Sequence, residues 1–239
     1  MAEPPPNNLK ALILAAGRGV RMRPLTDQTP KPLLAVRGRP LIEWHLRALA
    51  AAGVRDVVIN TAWLEEQFPP ALGDGARFGV RIRYSMEGRD HGGALETAGG
   101  IAKALPLLVE RADDCFWVVS GDVFLPGFVF DAQSARRFAA GALWAHLWLV
   151  PNAAHHPQGD FGIDAQGLAL ADAPHKRTWA SVGLFRAAMF ERVAVGTQLA
   201  LRPLLDEGIA HRRIGAQPWD GAWTDVGSVE RLQALNAAA

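Results

Sequence analysis

A single cysteine, Cys115, stands among the 239 residues, so no internal disulfide is available and stability has to come from packing. Cys115 abuts the apolar residues 116–119 and reads as a buried, inert thiol rather than a nucleophile. The formal net charge is only +1, which excludes the broad basic field of a nucleic-acid-binding protein and confines any positive potential to a cleft. No apolar run approaches the roughly eighteen residues that cross a bilayer; residues 143–150 have strand length and contain His146. Residues 1–8 have neither the basic start nor the apolar stretch of a secretory signal, and their prolines argue against a strand. They read as a flexible lead, and the protein as cytoplasmic. What is present, 49% hydrophobic and 21% charged residues, suffices for one α/β domain over residues 9–239. There is no internal repeat or low-complexity linker.

The apolar residues 11–16 run into glycines, which suits a buried parallel strand whose carboxyl end opens a crevice. Gly17 and Gly19 let backbone N–H groups approach phosphate oxygens, while Arg21 and Lys31 add positive charge. Ala15, Ala16, Gly17, Gly19, Val20, Arg21 and Lys31 are therefore the candidate nucleotide-binding set. Two other phosphate loops are excluded by spacing: Met22 stands where a dinucleotide fingerprint needs its third glycine, and no Gly-Lys-Ser/Thr follows as a Walker loop requires. Pro30 and Pro32 stiffen the backbone around Lys31, which points to a positioned ammonium rather than a solvated one.

Further along, the pattern predicts a helix over 40–52 with Gly53 as its stop, a strand at 57–59, and a helix starting near Trp63 that Pro69 and Pro70 break early. A strand with one polar face follows at 80–84, then a loop over 88–94. The helix expected at 95–107 contains Gly99 and Gly100, each costing about 1 kcal/mol of propensity relative to Ala, which implies close approach by something. Strands are predicted at 116–119, ending in Ser120-Gly121-Asp122, and at 143–150. Shorter strands follow at 161–163 and 179–185, helices near Ala187 and Leu199, and a last strand and helix around Trp223 and Ser228. This alternation predicts a doubly wound, mostly parallel, Rossmann-like mixed α/β sheet with ligands outside the strands' carboxyl ends, where the Gly17 loop and Asp122 both fall. Trp144 and Trp148, four apart, are expected to share one strand face in the core, and Trp219 and Trp223 to lie nearer a ligand. Adjacent His155 and His156 cannot point one way from an extended chain and read as solvated or as an aromatic lid rather than a metal pair.

Gly-x-Gly-x-Arg-x-x-Pro-Leu-Thr-x-x-x-Pro-Lys-Pro-Leu, matched from Gly17 to Leu33, resembles the signature of the sugar-1-phosphate nucleotidyltransferase family. Gly121-Asp122 and Trp223-Thr224-Asp225-Val226-Gly227 resemble two more of its motifs. The resemblance implies an enzyme in which a sugar phosphate oxygen attacks the α-phosphorus of a nucleoside triphosphate in line and expels pyrophosphate. Because that acceptor is already anionic, the protein's task is to hold two polyanions together and spread charge. It implies Asp122 and Asp225 as Mg²⁺ ligands, Arg21 on the β- and γ-phosphates, Lys31 between the α-phosphate and the acceptor, and Arg21, Lys31 and Asp122 as the catalytic group. It further implies Glu96, Thr97, Gly99, Ser120, Asp160 and Ser181 as substrate-binding residues, with a nucleotide half over about 9–122 and a sugar half over about 123–239.

Residues 40–54, 95–101 and 155–161 carry the likeness toward members that use UTP and N-acetylmuramic acid 1-phosphate in recycling peptidoglycan sugars. The alternatives are guanylyl transfer to mannose or heptose 1-phosphate, uridylyl or thymidylyl transfer to glucose 1-phosphate, cytidylyl transfer to phosphocholine, or a non-catalytic nucleotide-sugar-binding regulatory subunit. Retention of Arg21, Lys31, Asp122 and Asp225 argues against the last. The expected partners are the two small substrates, with no nucleic acid or membrane, in a monomer or weak homodimer. Too little chain follows Gly227 for the β-helix acetyltransferase domain that some members carry. The chain departs from the family at Ala180-Ser181-Val182, where a Ser/Thr-Gly-Ile is usual, at Ser120, where Asn is usual, and in lacking a Glu-Lys-Pro sugar motif. It also has a longer 88–94 loop, whose Arg89 and His91 are candidates for reading a lactyl carboxylate.

Overall fold

Seven strands build the central sheet: β1 (Lys10–Ala15), β2 (Asp56–Thr61), β3 (Arg81–Met86), β4 (Cys115–Ser120), β5 (Ala145–Val150), β6 (Thr178–Arg186) and β7 (Ile214–Pro218). This is a computed structural model that describes residues 9–237, so the lead expected at 1–8 lies outside the described residues. The order across the sheet is β7-β5-β6-β4-β1-β2-β3. Only β6 runs antiparallel to its neighbours in that sheet. The sheet is therefore doubly wound and mostly parallel, as the alternation predicts. β1 lies between β2 and β4, where the winding reverses, and the connections leaving β1 and β4 part there to open a crevice.

Besides short helices at Leu25–Gln28 and Phe68–Leu72, the helices are α1 (Leu41–Ala51), α2 (Glu87–His91), α3 (Glu96–Leu108), α4 (Ala132–Ala140), α5 (Arg202–Ala210) and α6 (Val229–Ala237). Successive residues of β1 feed opposite cores: Ala11, Ile13 and Ala15 meet Ile42, Leu46 and Leu49 of α1, whereas Leu12 meets Ala98, Ile101 and Ala104 of α3. Covered on both faces, β1 and β4 are apolar runs without alternation. β3, at the sheet edge, alternates instead.

Three local expectations are corrected. The segment after Trp63 makes a 3-10 turn at Glu65–Gln67 and then a short helix, Phe68–Leu72, with Pro69 and Pro70 in its first turn. There a missing N–H costs nothing, so the prolines start this helix rather than break it. Residues 87–91 of the expected loop are helical, as α2. Trp144 precedes β5, outside the pleat, and packs 5.7 Å from His211 against one core, while Trp148 lies 5.0 Å from Trp117 in the other, so the two do not share a face.

In β6 the register slips between Trp179 and Gly183, and Ser181 has φ 59°. This bulge needs a left-handed residue where the family favours glycine. Ser181→Gly is expected to raise stability by about 1 kcal/mol and Ser181→Val to lower it by at least as much, because a β-branched side chain tolerates that conformation least. Urea midpoints check this; a Ser181→Gly midpoint below wild type would mean the side chain, not the backbone, holds the bulge.

Candidate active site

The loop leaving β1 turns at Gly19, whose φ of 65° is left-handed. The Gly19 carbonyl accepts from the Met22 N–H at 2.8 Å and from Thr26 Oγ1 at 2.9 Å, closing the turn. Fully buried Met22 anchors it, while Val20 is 58% exposed and Arg21 projects into solvent. Trp63 braces the outer side: its Nε1 donates to the Thr26 carbonyl at 2.7 Å, and the Arg18 guanidinium lies 4.3 Å over its ring.

Lys31 opens a 3-10 turn, Lys31–Leu33, between its two prolines. Pro32 sits against Gly121, whose N–H donates to the Leu14 carbonyl at 2.8 Å, so this turn is clamped beside the end of β4. Lys31 is 8% exposed, and its Nζ is 2.7 Å from Asp122 Oδ2. Ser120 Oγ donates to Asp122 Oδ1 at 2.8 Å. Burial pushes the Asp122 carboxyl up, but the charge and hydrogen bond of Lys31, with help from Ser120, outweigh it and hold the group below the usual carboxylate range. Beside Asp122 and Val123, His45 of α1 is kept neutral, its pKa pushed down to about 4 by burial, so it adds no competing cation.

Asp225 arrives from the far end of the chain. Thr224–Asp225 pairs antiparallel with Val123–Phe124, and the Val226 N–H donates to the Asp122 carbonyl at 2.8 Å. Asp225 Oδ1 lies 2.5 Å from Arg231 Nη1 of α6 and 2.9 Å from His155 Nε2. Arg231 Nη1 is also 2.6 Å from His155 Nε2, so the three side chains form one cluster around Asp225. A Cβ at Gly227 would lie 2.5 Å from Arg231 Nη2, 2.9 Å from Asp225 Oδ2 and 3.3 Å from Arg21 Nη2, so the glycine leaves room for these three side chains. Arg231 and His155 escaped the sequence reading as partners of Asp225, and only their proximity in space marks them.

On the far wall, Asp160 Oδ1 is 3.1 Å from His156 Nε2, and Oδ2 accepts the Trp179 N–H at 2.8 Å, binding the 152–160 segment to β6. His155 and His156 thus diverge as expected, and each meets a different carboxylate while staying open to solvent. Trp219 packs 5.4 Å from Phe128, and Trp223 Nε1 donates to the Ala180 carbonyl at 3.0 Å, which makes both partners of the core. Glu96 is exposed with φ 61°, Thr97 is half-buried, and Gly99 is buried. The close approach expected at Gly99 and Gly100 is internal: a Cβ would strike the Thr197 carbonyl at Gly99, and the Glu87 and Asn60 side chains at Gly100. Arg89 pairs with Asp90 at 2.7 Å in α2, just beyond the edge strand β3, and a Cβ at Gly196 would lie 3.0 Å from the His91 ring.

The crevice joins a pinned ammonium, an exposed guanidinium and two carboxylates at neighbouring strand ends, a set suited to holding polyphosphate through cations and backbone donors. A family model described as nucleotidyl transferase matches residues 10–239. The chain is 46% identical over 236 residues to an N-acetylmuramate alpha-1-phosphate uridylyltransferase of Neisseria meningitidis serogroup B, covering 97% of this chain and 98% of that protein. It is 38% identical to a UTP--glucose-1-phosphate uridylyltransferase of Synechocystis, covering 92% of this chain and 61% of that protein. With a glucose-1-phosphate thymidylyltransferase of Streptomyces griseus it shares 32% identity over 95% of this chain and 65% of that one, so it spans less than two thirds of these two longer relatives. A solved Bacillus anthracis structure in complex with sucrose, assigned as a glucose-1-phosphate thymidylyltransferase, shares the fold, with a TM-score of 0.80, 21% identity and coverage of 97% and 95%.

Proposed function

Because the chain belongs to the nucleotidyl transferase family, we propose that it transfers UMP from UTP to N-acetylmuramic acid 1-phosphate, releasing pyrophosphate. The observation that carries this choice of substrates is the likeness to the meningococcal enzyme across nearly all of both chains. The geometry supports the reaction class. The loop from Ala15 to Arg21 holds the triphosphate on the backbone N–H groups that follow Ala15, with Arg21 on its outer phosphates. Lys31, held by Asp122 and its flanking prolines, faces the α-phosphate and the incoming sugar phosphate where charge builds up in the in-line displacement. No residue is required as a base, since the attacking oxygen is already anionic. In this reading residues 9–122 carry the nucleotide and 123–239 the sugar, with Thr97, Ser120 and Ser181 along the sugar path and Asp160 holding its far wall.

Asp122 and Asp225 offer hard oxygen donors at paired strand ends, and among the described residues no larger cluster of acidic, histidine or cysteine groups forms a cage. That donor set fits Mg²⁺, which keeps water and phosphate oxygens as its other ligands. Bound there, the ion supplies neutralisation of the leaving pyrophosphate. Arg231 and His155 hold Asp225 in place meanwhile. Among the described residues no helix is long and apolar enough to cross a membrane.

Pyrophosphate release over a matrix of nucleoside triphosphates and sugar 1-phosphates tests the reading. With UTP, kcat/KM for N-acetylmuramic acid 1-phosphate is expected to exceed that for N-acetylglucosamine 1-phosphate by about tenfold or more, the discrimination one ionic contact to the lactyl group provides. Equal values, or faster turnover of dTTP with glucose 1-phosphate, would overturn the choice of substrate while leaving the reaction class in place.

A further inference from the structure

Glu87, in the first turn of α2, is wholly shielded from solvent although it is a carboxylic acid. Its Oε1 accepts from Asn60 Nδ2 at 2.7 Å, and its Oε2 accepts the Leu95 N–H at 2.7 Å. Asn60, at the end of β2, accepts the Ala15 N–H on its Oδ1 at 2.8 Å. Ala15 is where β1 passes into the glycine loop, and Leu95 is the residue before α3. Three hydrogen bonds therefore run unbroken from the root of the loop to the entrance of α3 through two side chains. α3 closes over them only because residue 100 is glycine: a Cβ there would lie 2.6 Å from Glu87 Oε1 and 2.7 Å from Asn60 Nδ2.

The residue types follow from donor and acceptor counts. Both partners of Glu87 are donors, so two acceptor oxygens are required, which a carboxylate has and an amide lacks. Asn60 has to accept on one side and donate on the other, which an amide does. Burial pushes the Glu87 carboxyl up, opposed by the Leu95 N–H and then by Asn60. Keeping such a group in a dry site costs free energy that only complete partnering offsets.

We propose that Glu87 is a positioning residue for the nucleotide: acting through Asn60, it fixes the Ala15 N–H and so the direction in which the backbone leaves β1 toward Gly17. Glu87 itself does not touch the ligand. The inference rests on the reading of the Ala15–Arg21 loop as the triphosphate site.

The relay can be inverted without changing net charge or shape. Glu87→Gln leaves one donor facing an amide NH₂, and Asn60→Asp sets two carboxylates against each other. Together, N60D/E87Q restores every bond: the new carboxylate at 60 accepts from Ala15 and from the new amide at 87, whose carbonyl accepts from Leu95. Each single variant is expected to speed hydrogen exchange of the Ala15 amide by about tenfold and raise KM for UTP by about tenfold, with KM for the sugar phosphate unchanged and kcat within about threefold. The double variant is expected to return both quantities to within about threefold of wild type. Failure of the double to restore them, an equal loss for both substrates, or a changed preference between UTP and CTP with Ala15 exchange unmoved would overturn the proposal. So would an Ala15 amide in the wild type that exchanges as fast as an unstructured one, which needs no variant. A wild type that ignores UTP would instead overturn the functional reading, and Ala15 exchange would still decide the positioning role.

Discussion

Asp122→Asn is expected to lower kcat by about 10² to 10³ while the protein stays folded. The substitution keeps the shape and an acceptor for Lys31, but removes the negative charge that holds the ammonium in the crevice and the oxygen donor proposed for the metal. Asp225→Asn is expected to lose activity on a similar scale, because its carboxylate fills the same need from the paired strand. Steady-state pyrophosphate release with UTP, alongside circular dichroism, separates lost chemistry from lost fold. Near-normal turnover at ordinary Mg²⁺ would remove Asp122 from the mechanism. Lys31→Ala should lower kcat more than it raises KM, because its charge acts where charge develops. The Asp122 carboxyl is held below its ordinary value of 3.8 in the folded protein, so the pair's stabilisation is present above that value and fades as pH falls through the depressed one. Asp122→Asn should flatten that acid limb.

Gly99→Ala is expected to destabilise the protein by about 2 kcal/mol or more, although alanine gains about 1 kcal/mol of helix propensity. The added methyl would run into the Thr197 carbonyl, which is backbone and cannot rotate away. The segment carrying it is also tied down: the Ala98 and Gly99 N–H groups donate to the Leu199 carbonyl at 2.9 and 3.1 Å, and the Leu199 N–H donates to Leu95 at 3.0 Å. Withdrawal would break these bonds at the entrance of α3. At this chain length the loss corresponds to a fall in Tm of about 4–8 °C. Thermal unfolding checks it; an unchanged or raised Tm would show that the 196–199 segment yields easily and that the glycine serves something other than close packing.

Much of the site was legible because its signal is local. Gly17, Gly19, Arg21 and Lys31 fall within one short stretch, so backbone freedom, charge and proline stiffness could be read together from spacing. The alternation of apolar runs with helical patterns was likewise enough for a doubly wound sheet with Asp122 at a strand's carboxyl end. What escaped was the identity of partners. Nothing near Asp225 in sequence announces His155, and nothing near Ala15 announces Glu87.

The sequence by itself determined which segments are strands buried on both faces and where the glycine loop begins with Arg21 and Lys31 beside it, because those properties reside in composition and in intervals of a few residues. Only the tertiary structure decided what each charge meets. Lys31 finds Asp122 across 91 residues, and Asn60 finds Ala15 across 45, because the winding reverses at β1 and lays β2 and β4 on either side of it. A hydrogen bond is made between neighbours in space, and which residues become neighbours follows from the order of strands in the sheet.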